Sequence, residues 1–226
     1  MSASLAPQGQ PSADPVYEGM FGTYTITDAD RREVLGYRLA LTSVAVAQVA
    51  LAVQWWRWGS AALWPWLVVM AVGLGLALRW IHIYLRPLHQ ALGLFWLLGC
   101  VGLVAVAANL GLEAMVREAL SRPLALLAVG PFFAALTGIG FKEFFCFRRP
   151  EAIGVTLLLP VALLGRLTGL LPLSLTLQLL ALQAVLLTVL CLRKFPMAAA
   201  ADVGDKSVFH HLERQRHQPT GAEATL

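Results

Sequence analysis

The densest group of charged and aromatic side chains lies in residues 138–152, which read GIGFKEFFCFRRPEA. Its candidate functional residues are Lys142, Glu143, Phe144, Phe145, Phe147, Arg148, Arg149 and Glu151. Basic groups anchor proteins to anionic lipid headgroups, whereas Arg beside aromatic rings is typical of the centres of protein interfaces. The segment is therefore interpreted either as a lipid anchor or as a docking face for another integral membrane protein.

Two histidines, His82 and His89, lie within the segment IHIYLRPLHQ. Imidazoles on neighbouring helix ends can ligate a haem or a chlorophyll, but histidines at a membrane boundary more often hydrogen-bond to headgroups or helix ends. We therefore name His82 and His89 as candidate cofactor ligands and predict no cofactor. His210, His211 and His217 have no carboxylate or thiolate at a metal-binding spacing, so no metal site is predicted.

The apolar segments lack the groups that catalysis inside a membrane requires. Intramembrane proteolysis needs a Ser with a His, a pair of Asp or a zinc motif, and the sequence supplies none of these sets. No ionisable residue falls at the middle of an apolar segment, where proton pumps and many transporters place one. The sequence predicts no catalytic residues and no enzyme, and the alternative is a lipid-acting enzyme with His82 or Glu143 as base.

Composition identifies the elements that must position these groups. Of the 226 residues, 58% are hydrophobic and 13% are charged, and the mean hydropathy is +0.68. Cytosolic enzymes, disordered regulators and disulfide-stabilised scaffolds have different compositions. The apolar runs approach the ~20 residues that a helix needs to cross the hydrocarbon layer. The sequence thus predicts an all-α fold, a polytopic transmembrane helix bundle.

Six spans are predicted, at residues 35–54, 64–83, 88–110, 124–141, 152–171 and 173–192. The fifth has a short uninterrupted apolar stretch and contains Pro160, so five spans plus a re-entrant segment is the alternative. With six spans, thirteen of the 17 Lys and Arg residues share one side with both termini. Because basic residues are retained in the cytoplasm, both termini are predicted to be cytoplasmic.

Two tails flank the predicted membrane domain. Residues 1–26 are expected to be a largely disordered cytoplasmic tail with an extended strip at 16–25, and they contain no signal or transit peptide pattern. Thr27 or Asp28 is predicted to cap the helix that enters the first span. Residues 27–194 form the six-helix membrane domain. Residues 195–226 form a cytoplasmic tail with a short amphipathic helix that begins at Ser207.

Small residues at helical spacing predict where helices approach each other closely. Gly130, Ala134 and Gly138 recur every four residues on the fourth predicted span. Gly99 and Gly102 lie three residues apart on the third predicted span. Such positions let the backbones of two helices come into contact. We expect tight packing at both places, within the bundle or between subunits.

The spans also contain uncharged polar side chains, among them Gln48, Gln178 and Gln183. Side chains of this kind most often hydrogen-bond between helices. Together with backbone groups freed near Pro131 and Pro160, they could also form a site for a neutral solute. A carrier for a neutral or apolar small solute is therefore an alternative function, since it needs no buried charge.

Three segments carry a resemblance to a known family: VYEGMFGTYTITDADRREVLGYR before the first span, IHIYLRPLHQ after the second and GFKEFFCFRRPEA after the fourth. Over residues 16–194 the chain resembles a domain-of-unknown-function family of uncharacterised integral membrane proteins from cyanobacteria and related plastid lineages. The resemblance implies a plasma or thylakoid membrane with the basic side towards the cytoplasm. It implies no reaction and no catalytic residues.

The charged, aromatic segment and the absence of ionisable groups within the spans favour an accessory, assembly or scaffold protein of a photosynthetic or plasma membrane. The expected partners are membrane lipids and other integral membrane proteins. Nucleic acid is not an expected partner.

Overall fold

The computed structural model describes residues 14–208, His211 and Arg214. Its elements follow in the order β1 (Val16–Gly19), β2 (Gly22–Thr25), α1 (Asp28–Trp58), α2 (Trp64–Trp80), α3 (Arg86–Leu110), α4 (Met115–Ser121), α5 (Pro123–Phe147), α6 (Pro150–Leu167), α7 (Leu173–Lys194) and α8 (Ala199–Val203). The predicted disorder of residues 1–13, most of the predicted tail helix, and His210 and His217 lie outside the described residues.

The fold-class prediction is confirmed, because apolar helices dominate the described residues. Five of these helices, α1, α3, α5, α6 and α7, are long and apolar enough to cross a membrane. The sixth apolar helix, α2, has 17 residues and would extend about 26 Å. The shortest of the six apolar helices is therefore α2. From the sequence, residues 152–171 were instead expected to be the span with a short apolar stretch.

The largest departure from the predicted boundaries is at residues 142–151, which were expected to form a loop. Helix α5 continues to Phe147, and α6 begins at Pro150. Nothing in the sequence breaks the helix before Arg148, which ends it in the left-handed conformation with a φ of 49°. Pro150 then begins the next helix, where its missing N–H costs no hydrogen bond. The connection is thus reduced to two residues.

Close helix packing centres on two glycines of α3. A Cβ atom on Gly99 would overlap the backbone of Phe132 in α5, and one on Gly102 would overlap the carbonyl oxygen of Ala128. The predicted stripe on α5 behaves less uniformly, since Gly138 faces a side chain of α3 but Gly130 has open space where a Cβ would stand. The α3 pair therefore sets the distance between α3 and α5.

The chain divides into two compact units, residues 33–197 and a smaller unit made of residues 1–32 and 198–226. In the smaller unit the predicted strip is an antiparallel hairpin, with Val16 opposite Thr25. Gly22 adopts a φ of 126° in its turn, which a residue with a side chain would rarely do. Thr27 caps α1, as predicted, because its hydroxyl accepts a hydrogen bond from the backbone N–H of Asp30.

The hairpin turn contacts the carboxy-terminal segment within this smaller unit. The backbone N–H of Met20 donates to Oδ2 of Asp205 at 2.7 Å, and that of Phe21 donates to the hydroxyl of Ser207 at 3.0 Å. An ion pair of 2.8 Å joins Lys206 to Asp30. Chain segments that are nearly two hundred positions apart thus share one small structure.

Candidate functional site

A cavity of about 580 Å³ lies inside the larger unit, between the last turns of α1, the short helix α4 and the first turns of α7. We call the end of the bundle where α4 lies the α4 end. The opposite end, where α1 enters this unit and where α5 and α7 finish, is called the basic end. Helix α4 forms one side of the cavity through Met115, Val116 and Ala119.

The wall of the cavity is apolar, and no charged side chain contributes to it. Leu51, Met70 and Phe133 are representative of its lining, and the indoles of Trp55 and Trp56 also border it. Apolar walls with a few polar groups and a volume of roughly 300–1,000 Å³ are typical of small-molecule sites. The cavity therefore has the size and chemistry of a site for a neutral, apolar molecule.

Two glutamine side chains supply polar groups to this wall, Gln48 from α1 and Gln178 from α7. Gln48 is only 8% exposed, and its Oε1 accepts no hydrogen bond from any of the described residues. A buried carbonyl oxygen without a donor costs about 1–3 kcal/mol.

The solute site anticipated from the sequence is therefore assembled in part. The structure brings Gln48 and Gln178 to one cavity, but Gln183, Pro131 and Pro160 are not among its lining residues. Gln183 is fully buried elsewhere on α7. Neither the oxygen nor the nitrogen of its amide has a partner within the described part of the chain.

A second group of polar side chains is buried at the basic end, centred on Glu143 of α5. The carboxylate accepts hydrogen bonds of 2.6 Å from the Tyr37 hydroxyl of α1 and 2.6 Å from Nζ of Lys194 in α7. Nζ of Lys142 lies 3.3 Å from the same carboxylate, and the ammonium of Lys194 is 4.5 Å from the ring centre of Phe147. We call Tyr37, Lys142, Glu143 and Lys194 the ion cluster.

The ion cluster corrects the interpretation of Lys142 and Glu143 as members of a docking face. Glu143 is fully buried and Lys142 is 7% exposed, because both side chains turn into the bundle. Neither can present its charge to a partner or to headgroups. The same burial removes Glu143 as the base of a lipid-acting enzyme at the membrane boundary.

The remaining members of that segment fall into two sets. Glu151 is buried beside Arg193 at 3.0 Å and Arg149 at 3.8 Å, so it acts within the bundle. Phe144 packs against the apolar core. Phe145, at 74% exposed, and Arg148 face outwards. The docking or anchoring surface is thus smaller than the sequence suggested, and its role stays a prediction.

The two candidate cofactor histidines have partners of their own. Nε2 of His89 donates to the carbonyl oxygen of Leu78 at 2.8 Å, which caps the end of α2. Nε2 of His82 lies 3.4 Å from a carboxylate oxygen of Glu33. Within the described residues, no group of three or more His, Cys, Asp or Glu side chains could hold a metal ion. These contacts fit a role at helix ends.

Sequence reasoning missed two features of this geometry. It counted Lys194 only among the basic residues on the side of the termini, although Glu143 falls on the same side in the predicted topology. The position of both residues on one side of the membrane was the available signal for the ion cluster. Nothing local signalled the cavity, because its wall is formed by seven helices whose apolar residues resemble those of any core.

A family model described as "Uncharacterized integral membrane protein (DUF2301)" matches residues 76–211, more than half of the chain. The matched part includes α3 to α8 and with them Glu143 and Lys194. No curated protein matches the chain significantly. No solved structure does so either.

Proposed function

The chain belongs to the DUF2301 family of integral membrane proteins, and we propose that it binds and carries a small, neutral, largely apolar solute. The observation that carries this proposal is the cavity of about 580 Å³ with an uncharged wall. A solute without charge can enter such a site without the large cost of burying an ion. Gln48 and Gln178 supply the hydrogen-bonding groups that would orient it.

We propose no catalytic activity for this cavity. Its lining contains no Ser, Cys, His, Lys, Asp or Glu. A reaction there would have neither a nucleophile nor a general base, the groups on which covalent and acid–base catalysis depend. Binding and release of an unmodified solute need only the shape and polarity of the wall.

The experiment compares a variant that fills the cavity with one that adds the same side chain elsewhere. Ala52 borders the cavity, whereas Ala105 of α3 is exposed on the outer surface of the bundle. We expect protein purified in lipid nanodiscs to retain a co-purifying apolar molecule, detected by mass spectrometry of its extract. Ala52→Phe should lose that molecule and Ala105→Phe should keep it.

Flux into reconstituted vesicles then separates a carrier from a binding protein, with the extracted molecule as solute. Uptake that depends on the protein and is lost in Ala52→Phe supports the carrier. Equal retention of every apolar molecule by both variants would contradict the cavity as the binding site.

A second candidate function is the accessory, assembly or scaffold role favoured by the sequence. Its support is the exposed aromatic surface next to the α5–α6 connection, where the rings of Phe141 and Phe145 stack with their centres 6.3 Å apart. Exposed apolar groups beside Arg148 suit contact with another membrane protein. Burial of Lys142, Glu143 and Glu151 leaves this surface with less charge than the role was expected to use.

The membrane and the orientation are part of the same proposal. From the resemblance we propose a cyanobacterial or plastid-lineage plasma or thylakoid membrane. The positive charge at the basic end supports the placement of both termini in the cytoplasm. Reporters fused to the two termini test this arrangement. A carboxy-terminal reporter that is active only outside the cytoplasm would contradict it.

A further inference from the structure

We propose that the solute of this cavity is a neutral lipid of the surrounding bilayer, and that it enters sideways through a gap between α1 and α7. This inference rests on the proposed binding function, and it names the class of the solute and the place where the solute enters. Its starting point is the exposure of the residues that line the cavity, because exposed lining residues mark where the wall is open.

Two of the described residues that line the cavity are exposed, Trp56 of α1 at 81% and Gln178 of α7. The lining residues that α2 to α6 contribute are all buried or half-buried. Trp56 and Gln178 thus belong both to the wall of the cavity and to the outer surface of the bundle. We call the opening between them the lateral gap.

The helices on either side of the lateral gap are fastened to each other at the basic end. There, Tyr37 of α1 and Lys194 of α7 both donate to Glu143. Towards the α4 end the cavity lies between the two helices, and the small side chains of Ala52 in α1 and Ala181 in α7 both line it. Space for a chain-like molecule therefore opens between α1 and α7 on the side away from the ion cluster.

The lateral gap lies at the depth of the hydrocarbon layer. Gln178 is the sixth residue of α7, a rise of about 8 Å from the start of that helix. Along α1 the wall extends from Trp56 inwards to Gln48, a rise of about 12 Å. Tryptophan rings favour the headgroup boundary, so the part of the wall beyond Trp56 borders lipid chains rather than water.

At the α4 end, the short helix α4 covers the cavity. Met115 and Ala119 of α4 line the cavity and are buried, whereas Arg117 is exposed. The guanidinium group of Arg166 in α6 donates to the carbonyl oxygen of Leu120 at 2.8 Å, which holds α4 in place. A solute dissolved in water would have to displace this helix, whereas a solute dissolved in the bilayer would not.

The chemistry of the wall and of the lateral gap suits a lipid with an uncharged headgroup. A charged group in the cavity would lose its hydration without meeting an opposite charge in the lining. The amide of Gln178 is exposed at the depth of the lipid chains, which supply no hydrogen bonds. An uncharged polar headgroup at the lateral gap would supply them, while its apolar chain lies against the apolar wall.

The test compares two neutral photoactivatable probes with the whole chain in nanodiscs. One is a monoacylglycerol with a diazirine near the end of its chain, dissolved in the bilayer, and the other is a diazirine-bearing diol that stays in water. After illumination, mass spectrometry measures the labelling of Met70, which lines the cavity and is 2% exposed, and of Val72 on the outer surface of the same helix. We expect the lipid probe to label both residues and the diol to label neither.

A matched pair of variants tests the lateral gap. Gln178→Trp places a large ring in it, whereas Val185→Trp adds the same ring to α7 at an exposed position outside the cavity. Labelling of Met70 by the lipid probe should fall about tenfold in Gln178→Trp, as expected when an occupied site is overpacked, and it should be unchanged in Val185→Trp. Labelling of Val72 should be unchanged in both variants, and size-exclusion profiles check that both are folded.

The outcomes separate the two proposals. If the diol labels Met70 and the lipid probe does not, or if Gln178→Trp leaves the labelling of Met70 by the lipid probe unchanged, entry of a lipid through the lateral gap is overturned and the cavity stays a binding site. If neither probe labels Met70, or if Ala52→Phe leaves that labelling unchanged for both probes, the proposed function itself is overturned, because no probe then occupies the cavity.

Discussion

Tyr37 and Glu143 lie 106 positions apart, and the hydroxyl of the first donates a 2.6 Å hydrogen bond to the carboxylate of the second. This bond joins the start of the first membrane helix to the end of α5. Lys194 completes the contact from α7, again at 2.6 Å. Three helices that are distant along the chain are thereby fastened at one point.

Removing the carboxylate should destabilise the bundle strongly. Glu143→Gln keeps the shape of the side chain but removes the negative charge that the buried Lys142 and Lys194 share. Breaking a buried ion pair in this way costs about 3–5 kcal/mol. We expect a large fall in the unfolding temperature in mild detergent. Glu113→Gln, at an exposed position, should change stability by less than about 0.5 kcal/mol, and equal unfolding temperatures for the two variants would refute a structural role for the cluster.

A methyl group on Gly102 should separate α3 from α5. The added Cβ of Gly102→Ala would meet the carbonyl oxygen of Ala128, which is backbone and cannot turn aside. Overpacking of this kind costs about 1–3 kcal/mol. Gly130→Ala is the control, since its Cβ would find no atom within 4 Å and a helix gains up to about 1 kcal/mol from Ala. Thermal unfolding in detergent measures both, and a Gly102 variant as stable as the Gly130 variant would contradict the close approach.

The exposed surface at the end of α5 is tested by a double variant that preserves charge. Phe145→Ala with Arg148→Lys removes an aromatic ring that is 74% exposed and the planar group that pairs with two oxygens at once. If this surface docks a protein, co-purifying partners should be lost while the amount in the membrane stays normal. If it only anchors lipid, the basic charge suffices and the variant should behave as the unchanged protein does.

The contact between Asp205 and the hairpin should depend on pH. Hydrogen bonds from the Ser207 hydroxyl and the Met20 backbone N–H lower the pKa of Asp205 below its usual value of 3.8. A lowered folded-state pKa means that the contact is fully stabilising above that usual value and weakens as the pH falls through the folded-state pKa. The amide resonance of Met20 should therefore titrate with a midpoint below 3.8. In Asp205→Asn this titration should vanish, and its persistence would exclude Asp205 as the partner.

Local patterns were sufficient to predict much of the fold. Apolar runs identified the six helices, Thr27 identified the start of α1, and Gly99 and Gly102 identified a close helix contact. Each of these depends on residues within one element or at its boundary. The physical cause is therefore present in a short stretch of sequence.

The features that were missed depend on distant parts of the chain. Charge density suggested a loop at residues 142–151, but Lys142 and Glu143 are helical. Inside the bundle, Glu143 accepts hydrogen bonds from Tyr37 and Lys194 and pairs with Lys142. Gly130 fits the small-residue pattern and yet no atom lies within 4 Å of the place where its Cβ would stand. Spacing along one helix reports which residues share a face, but it does not report which neighbour that face meets.

The contact between the hairpin and the carboxy-terminal segment has a topological consequence. Atoms joined by a hydrogen bond lie on the same side of a bilayer, so Met20 and Asp205 share a side, as do Asp30 and Lys206. The chain between them must cross the membrane an even number of times. The five long helices alone give an odd number, so α2 has to cross as well if all five do. A crossing of about 26 Å is shorter than the usual hydrocarbon thickness, so the bilayer beside α2 has to thin or the side chains that flank α2 have to extend to the headgroups.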